Sequence, residues 1–487
     1  MRVGRFSSVL ALAAVLSGCG GGGGSSSSGA PTPTPSPVAS APAPSPSPTP
    51  VATVSCSLSA RQQWVKAQLD EWYLFPNLLA SSVNPAAYNN LDDYVDALVA
   101  PARAESKDRY FTYVTSIAEE NAYYNQGSSA GFGLRLAFTQ SGELYVTDAY
   151  EGGPGLAVGM DRGTQIIAIG NSTSTLQTVA SLYASGGAEA VGNALGASTT
   201  GTTRVFQIRQ LNSQVSTVSV SKREFELPPV SPRYGSSVIT DAGRKVGYIN
   251  LRTFVNTADP ELRRAFDTFR TQGVTEVIVD LRYNGGGLIS IAELFSNLLN
   301  AQRSGQVLSY TTFRDSKSSQ NETTRFISQP QAIAATKVAF IGTGATASAS
   351  ELVINAQKPY LGANAALIGG NTYGKPVGQI ALDQTQCDDR LRAIALRTEN
   401  SAREGDNYTG LASRLPATCQ ANDDISHQLG DPQESSIRTA LDFLAGRSCT
   451  PIQSSSGLAR QASVGTTRTP LEAKAPTVAQ RELPGLF

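Results

Sequence analysis

Apolar residues recur at spacings of three and four over residues 58–73 and again over 91–99, the period of a helix with one buried face, so two helices are expected there. Trp64 and Trp72, the only tryptophans, lie eight apart on one face of the first and read as core anchors. The pattern changes after residue 126: to about 225, short apolar runs alternate with glycine and polar turns, the punctuation of a β-rich region. Pro228, Pro229 and Pro232 mark a boundary. Strand and helix signals then alternate, with strands expected over 245–254, 274–281 and 337–342 and helices over 260–270 and 288–299. A helical spacing follows over 351–357, then a strand over 377–383 and a helix over 435–444. Such alternation predicts an α/β core.

The two ends read differently. Arg2 and Arg5 precede an apolar run over residues 9–16 that is too short to span a bilayer, so residues 1–18 are expected to be an export signal. Leu16-Ser-Gly-Cys19 resembles a bacterial lipobox, which implies cleavage before Cys19, its diacylation and a membrane tether. Residues 19–54 are Gly/Ser-rich and then Pro-rich, a composition that buries no core and forms an extended spacer with a reach of roughly 100 Å. Residues 451–487 lack periodicity and are expected to be a disordered tail.

Lys plus Arg equals Asp plus Glu, 39 each, so no net field favours nucleic acid. A single histidine, His427, excludes zinc sites needing two or more and leaves any Ser-His-Asp arrangement dependent on it; a local structural hydrogen bond is the expected role. With Cys19 acylated, Cys56, Cys387, Cys419 and Cys449 form an even set for an oxidising compartment. Three pairings are open, with Cys387–Cys419 and Cys56–Cys449 taken as the working one. Neither metal nor cofactor is expected.

The chemistry gathers at Thr346-Ala-Ser-Ala-Ser-Glu351, a turn between the strand over 337–342 and the following helix, where backbone N–H groups and the helix dipole converge as an oxyanion requires. Lys375, in an apolar setting 27 residues after Ser348, is a candidate base, because burial lowers an amine towards neutrality. Ser350 is the rival nucleophile; separated by one position at a helix start, the two serines point in different directions, and Ser350 is expected to bond backbone. Gly369-Gly-Asn-Thr-Tyr-Gly-Lys-Pro376 imitates a phosphate loop, but proline replaces the magnesium-binding hydroxyl and a strand follows where a helix is required.

Three stretches, Ser348-Ala-Ser-Glu351, Tyr373-Gly-Lys-Pro-Val-Gly-Gln379 and Asp280-Leu-Arg-Tyr-Asn-Gly-Gly-Gly287, resemble the active-site motifs of the C-terminal processing peptidases, or tail-specific proteases. The resemblance implies a multidomain α/β protein with a crotonase-like (ClpP/crotonase) Ser/Lys protease domain (226–450), an inserted PDZ domain (127–225) and a small N-terminal helical domain (55–126). By the same resemblance Ser348 is the nucleophile, Lys375 the general base and Gln379 the group orienting it, with Gly286 and Ala349 N–H groups as the oxyanion hole. Gly131, Phe132, Gly133 and Leu134 would form the peptide-binding loop of the PDZ domain. Asp280 and Arg282 are expected to be structural. The chain departs from the family in having Gly285 where many relatives have proline, and in a serine-to-lysine spacing about two residues longer than usual. The partners implied are polypeptides with exposed apolar C-termini, the membrane through Cys19, an adaptor lipoprotein and further copies of the chain. The location implied is the periplasmic side of the outer membrane. The alternative is a catalytically silent PDZ scaffold or ligand-binding protein on the same fold. The chain closes Leu483-Pro-Gly-Leu-Phe487, the kind of terminus such a groove accepts, and is expected to occupy its own groove or be trimmed there.

Overall fold

The computed structural model describes residues 55–453 and 468–487. The export signal, Cys19 and the 19–54 spacer lie outside the described residues, as do residues 454–467 of the expected tail.

A six-stranded sheet holds the centre, ordered Ser236–Asp241, Arg244–Asn250, Glu276–Asp280, Lys337–Gly342, Ala365–Gly369 and Ala417–Gln420. The first pair is antiparallel and the rest are parallel, with Val279 opposite Phe340 and Phe340 opposite Leu367. Parallel strands are buried on both faces, which is why they read as continuous apolar runs. One face packs on the helices Ala258–Thr271, Ile289–Leu299 and Ala349–Leu361, around Phe266, Phe269 and Phe295. The other packs on the helix Ser435–Leu444 through Ile437, Ala440 and Leu441.

A second, antiparallel sheet is built on the twelve-residue strand Asp389–Asn400, which pairs with Val377–Gln384 on one side and with Tyr113–Ser116 and Val307–Phe313 on the other. The two expected helices, Leu58–Trp72 and Leu91–Ala104, pack on it, but the fully buried anchors at the first are Val65, Leu69 and its C-cap residue Tyr73. Trp64 and Trp72 are only partly buried and join different clusters, Trp72 lying under Lys317 Nζ at 4.0 Å. A third sheet runs Leu134–Phe138, Leu144–Ala149, Gln165–Gly170, Thr203–Arg209 and Val215–Ser221, with the helix Val179–Leu195 filling its core through Val191 and Leu195.

Two expectations are corrected. Residues 468–487 are ordered: Thr469–Pro470 pairs with Phe138 and Ala137, a short helix covers Val478–Glu482, and Leu471, Leu483, Leu486 and Phe487 are buried. The disulfides are Cys56–Cys387 and Cys419–Cys449, not the working pairing. The Leu58–Trp72 helix lies along the Asp389–Asn400 strand, with Arg61 Nε donating to Asp389 at 2.6 Å, and so delivers Cys56 to Cys387. After the Ser435–Leu444 helix the chain returns beside the edge strand Ala417–Gln420, where Gln420 N donates to Thr450 O at 2.7 Å, and Cys449 meets Cys419.

A buried ionic cluster joins the third sheet to the central one. Arg282 is fully buried and donates to Asp280, Glu434 and Asp423 at 2.9, 2.9 and 3.1 Å. Arg162, just before the third sheet's Gln165–Gly170 strand, donates to Asp423 at 2.7 Å, and Tyr283 Oη to its other oxygen at 2.6 Å. Burial alone would raise the Asp423 carboxyl, but Arg162 and Arg282 hold it far below the usual carboxylate range. A depressed carboxyl stabilises the fold above its unfolded pKa of about 3.9, and that contribution is lost as pH falls below it towards the folded value. Asp423→Ala leaves two buried guanidiniums short of a partner and is expected to cost about 3–5 kcal/mol near neutral pH, read from denaturant unfolding. The difference between wild type and variant should shrink in acid.

Candidate active site

The strand Lys337–Gly342 ends in a turn whose backbone is held from across the sheet. Thr346 Oγ1 donates to Leu281 O at 2.7 Å, and Ala347 N to Asn284 O at 3.1 Å. Ser348 follows at φ 56° and ψ −116°, a conformation that costs a non-glycine residue on the order of 1–3 kcal/mol and persists only where its surroundings impose it. The helix Ala349–Leu361 starts at once, so Ser348 stands at its positive end. Ser350 is fully buried and its Oγ donates to Asn284 O at 3.0 Å, the backbone bond expected of it.

Glu351 imposes the conformation. Its buried carboxylate accepts from Ser348 N at 3.1 Å and Lys375 N at 2.7 Å on one oxygen, and from Thr372 Oγ1 at 2.6 Å and Gly374 N at 2.9 Å on the other. Burial pushes the Glu351 carboxyl above its ordinary value, while these four donors act in the opposite direction. One side chain thus ties the serine turn to the lysine loop.

Lys375 Nζ donates to Gln379 Oε1 at 3.0 Å and lies 4.8 Å from the centre of the Phe111 ring. Gln379 Nε2 donates to Phe111 O, which fixes the amide so that its oxygen faces the lysine. Phe111 is itself placed by fully buried Asp108, whose carboxylate accepts from Phe111 N, Thr112 N and Tyr73 Oη at 2.9, 3.1 and 2.8 Å. The lysine therefore rests on a floor built by residues 58–112. Burial lowers its pKa below the usual 10.5; Glu482, Asp108 and Glu351 oppose that shift and Arg392 adds to it. No hydrogen bond joins Lys375 Nζ to Ser348 Oγ among the described residues.

The glycine loop after the strand Glu276–Asp280 closes over the serine. Gly286 has φ +125°, and a Cβ there would stand 2.8 Å from Ser348 Cβ and 3.2 Å from Ala349 N, so the approach requires glycine. The expected oxyanion pair, Gly286 and Ala349, is therefore adjacent, but Gly286 N–H is donated to Asn284 Oδ1 at 2.9 Å. Gly285 N–H is donated to Glu482 O at 2.9 Å. A cavity of about 240 Å³ is lined by Ala347, Tyr373, Lys375, Gly285, Glu482 and Leu486.

The loop over residues 131–134 meets the end of the chain that carries Glu482 and Leu486. Leu134 N donates to Phe487 O at 3.1 Å and Phe487 N to Leu134 O at 2.8 Å, while Gly131 abuts the Phe487 carbonyl carbon. Phe132 packs edge-on against Phe206, and Gly133, at φ +68°, lets the chain pass against Gly153. Asp280 and Arg282 belong to the buried ionic cluster, and His427 Nδ1 pairs locally with Asp424 at 2.7 Å. Among the described residues no three His, Cys, Asp or Glu side chains gather in a metal-binding group.

Glu351, Asn284, Asp108 and Phe111 were not singled out from sequence. Glu351 left a signal, since Ser348 and Glu351 have the spacing of a capping box; Asn284 stands inside the Asp280–Gly287 stretch, and Asp108 and Phe111 inside Asp108-Arg-Tyr-Phe-Thr-Tyr-Val114, which resembles the segment before the PDZ domain in the same family, but no spacing marks their roles.

Residues 245–404 match the model of peptidase family S41. Over 260 residues the chain is 29% identical to carboxyl-terminal-processing peptidase 2, chloroplastic, of Arabidopsis thaliana, covering 51% of this chain and 46% of that protein. Over 231 residues it is 29% identical to the carboxyl-terminal-processing protease of Picosynechococcus sp., covering 47% of this chain and 51% of that protein. The chain spans about half the length of the curated relatives it matches. A solved Bacteroides fragilis NCTC 9343 chain assigned to the S41 proteases superposes with a TM-score of 0.61 at 23% identity, covering 79% of this chain and 97% of that one, and shows a shared fold.

Glu351→Ala removes the acceptor of four donors, three of them backbone, and is expected to cost about 1–3 kcal/mol at least. Hydrogen exchange should speed up at the amides of Ser348, Gly374 and Lys375, with little change at the Arg282 cluster.

Proposed function

We propose, from the match of residues 245–404 to peptidase family S41 and the similarity to carboxyl-terminal-processing peptidases, that this chain is a serine endopeptidase acting on polypeptides selected through apolar C-terminal tails. Ser348 is the nucleophile and Lys375 the base. Neutral Lys375 Nζ takes the Ser348 Oγ proton as Oγ attacks the scissile carbonyl, then gives it to the leaving amine; water repeats the path to release the acyl group. Ala349 N–H and Gly286 N–H, the latter once released by Asn284, face the oxyanion. Gln379 orients the lysine. The observation that carries this reading is the Glu351 carboxylate, which holds the backbones of Ser348 and Lys375 to one oxygen.

In the same reading residues 226–450 are a crotonase-like catalytic domain, 127–225 a PDZ domain and 55–126 a small helical domain. Support for the PDZ assignment comes from the third sheet, whose Leu134–Phe138 edge takes up an extended segment as an added strand. Acylated Cys19 and the spacer over 19–54 tether the protein to the outer membrane facing the periplasm, where an adaptor lipoprotein and further copies of the chain are its other partners.

Purified protein should degrade an unfolded reporter with an apolar C-terminus. Ser348→Ala and Lys375→Ala are each expected to lower kcat by about 10³–10⁶-fold, whereas Ser350→Ala, which removes a buried backbone bond, should lower stability more than rate. Because the neutral amine is the active form, kcat/KM should rise with pH and level off above a midpoint below the usual 10.5 of lysine. Activity surviving in Ser348→Ala would remove the dyad, and a wild type that binds polypeptides without cleaving them would favour a silent PDZ scaffold.

A further inference from the structure

Residues 468–487 lie along two of the features just described. Thr469 and Pro470 pair with Phe138 and Ala137, and Leu471 N donates to Leu136 O at 3.0 Å. Further on, Leu136 N donates to Gly485 O at 2.8 Å, Leu486 bridges Arg135, and Phe487 exchanges both backbone bonds with Leu134. The Leu134–Phe138 edge is thereby filled from both ends of the segment. The Phe487 ring sits in the apolar core of the third sheet, with Phe132, Leu134 and Phe206 in the same cluster.

Between these anchors the chain crosses the serine site. The Val478–Glu482 helix, capped by Thr477, brings Glu482 O to Gly285 N–H, next to the Gly286 backbone that touches Ser348. A Cβ at position 285 would stand 2.5 Å from Glu482 O, and proline there would also lack the donor, so this contact needs the glycine the chain has. Tyr124 Oη holds the Glu482 side chain at 3.0 Å, and Arg481 covers the Tyr113 ring at 4.0 Å. Both disulfides, Cys56–Cys387 and Cys419–Cys449, lie upstream, so the segment is held in place by noncovalent contacts alone.

We propose that residues 468–487 are an intramolecular competitor of the polypeptide substrate, occupying its path from the Leu134–Phe138 edge to the Gly285 N–H beside Ser348, and that they leave before a substrate enters. The proposal rests on the peptidase reading of the site and adds its regulation. It also defines the ligand class: an extended polypeptide with an aromatic residue for the Phe487 socket, leucine one position before it, and a second leucine four positions before it, the pattern of Leu483, Leu486 and Phe487. The segment makes these contacts in cis, at an effective concentration in the millimolar range. Against a free peptide with a Kd of about 10 μM, that lowers apparent affinity by about 100-fold.

The test is binding of a fluorescent synthetic peptide of residues 468–487 to Ser348→Ala protein in three forms: the full chain, the chain ending at residue 467, and the full chain with Phe487→Asp. The last keeps the protein testable should the shortened chain fail to fold. Expected is binding about 100-fold tighter to the altered forms than to the full chain and, with Ser348 restored, faster cleavage of an unfolded reporter by both. Equal affinity for full chain and Phe487→Asp would overturn the proposal, as would no binding to either altered form. Tighter binding without cleavage of any reporter supports the occupancy and removes the peptidase reading, so the two fail separately.

Discussion

The geometry of the site depends on one carboxylate. Glu351 is the third residue of the helix that Ser348 opens, and its two oxygens collect four donors from the serine turn and the loop over 372–375. Two segments more than twenty residues apart are thereby set to a common origin within hydrogen-bond tolerance. A hydrophobic contact would not do this, because dispersion is non-directional, while four bonds to one rigid planar group fix orientation as well as distance. The positive φ of Ser348 follows: its N–H must turn back to the carboxylate while Leu352 N takes its carbonyl at 2.9 Å.

Lys375 is set by a different set of contacts. Lys375 takes its backbone position from Glu351, but its side chain is aimed by Gln379 and shielded by Phe111. Phe111 hangs from Asp108, and Asp108 is held by Tyr73 on the first helix. The two helices at the start of the described chain therefore reach the site through the buried Tyr73–Asp108 bond and the carbonyl of Phe111. A similar chain of buried groups runs on the other side, where Arg162, Asp423 and Arg282 fasten the third sheet beside the loop that carries Asn284 and the glycines.

How much of this was legible depends on where each residue takes its instructions. The central strands and helices were readable because each buries a face whose period is set by its own backbone; Lys337–Gly342 and Ser435–Leu444 have the expected bounds. The helix Val179–Leu195 was not read, because Gly186 and Gly187 break its φ/ψ and only four of its side chains are buried. Residues 468–487 were misread for a deeper reason. Leu471, Leu486 and Phe487 have no common period because their spacing answers to the Leu134–Phe138 edge, and partners lying roughly 330–350 residues away leave no local trace. The resemblance picked out Ser348, Lys375 and Gln379 in stretches that the Glu351 carboxylate and the Lys375–Gln379 bond bring together, and helix geometry separated Ser350 from Ser348. The disulfides were not, since both follow from which strand each cysteine arrives beside.

An amine serving as a base makes conflicting demands on its surroundings. On the proposed function Lys375 must be dry enough to lose its proton near neutral pH, yet sit in a pocket that admits a polypeptide. One wall of the pocket is made by Phe111 in the loop fixed by Asp108, with Gln379 bonded to the Phe111 carbonyl. The other is made by Glu482 and Leu486, which line the same cavity as Lys375 and add a carboxylate that favours the ammonium over the free amine. In this state Gly285 N–H is given to Glu482, Gly286 N–H to Asn284, and Lys375 Nζ to Gln379. An incoming chain that replaced residues 481–486 without their carboxylate would cover the lysine as they do and remove the charge opposing deprotonation. Covering would then be common to both states of the pocket, leaving charge and hydrogen-bond occupancy to distinguish them.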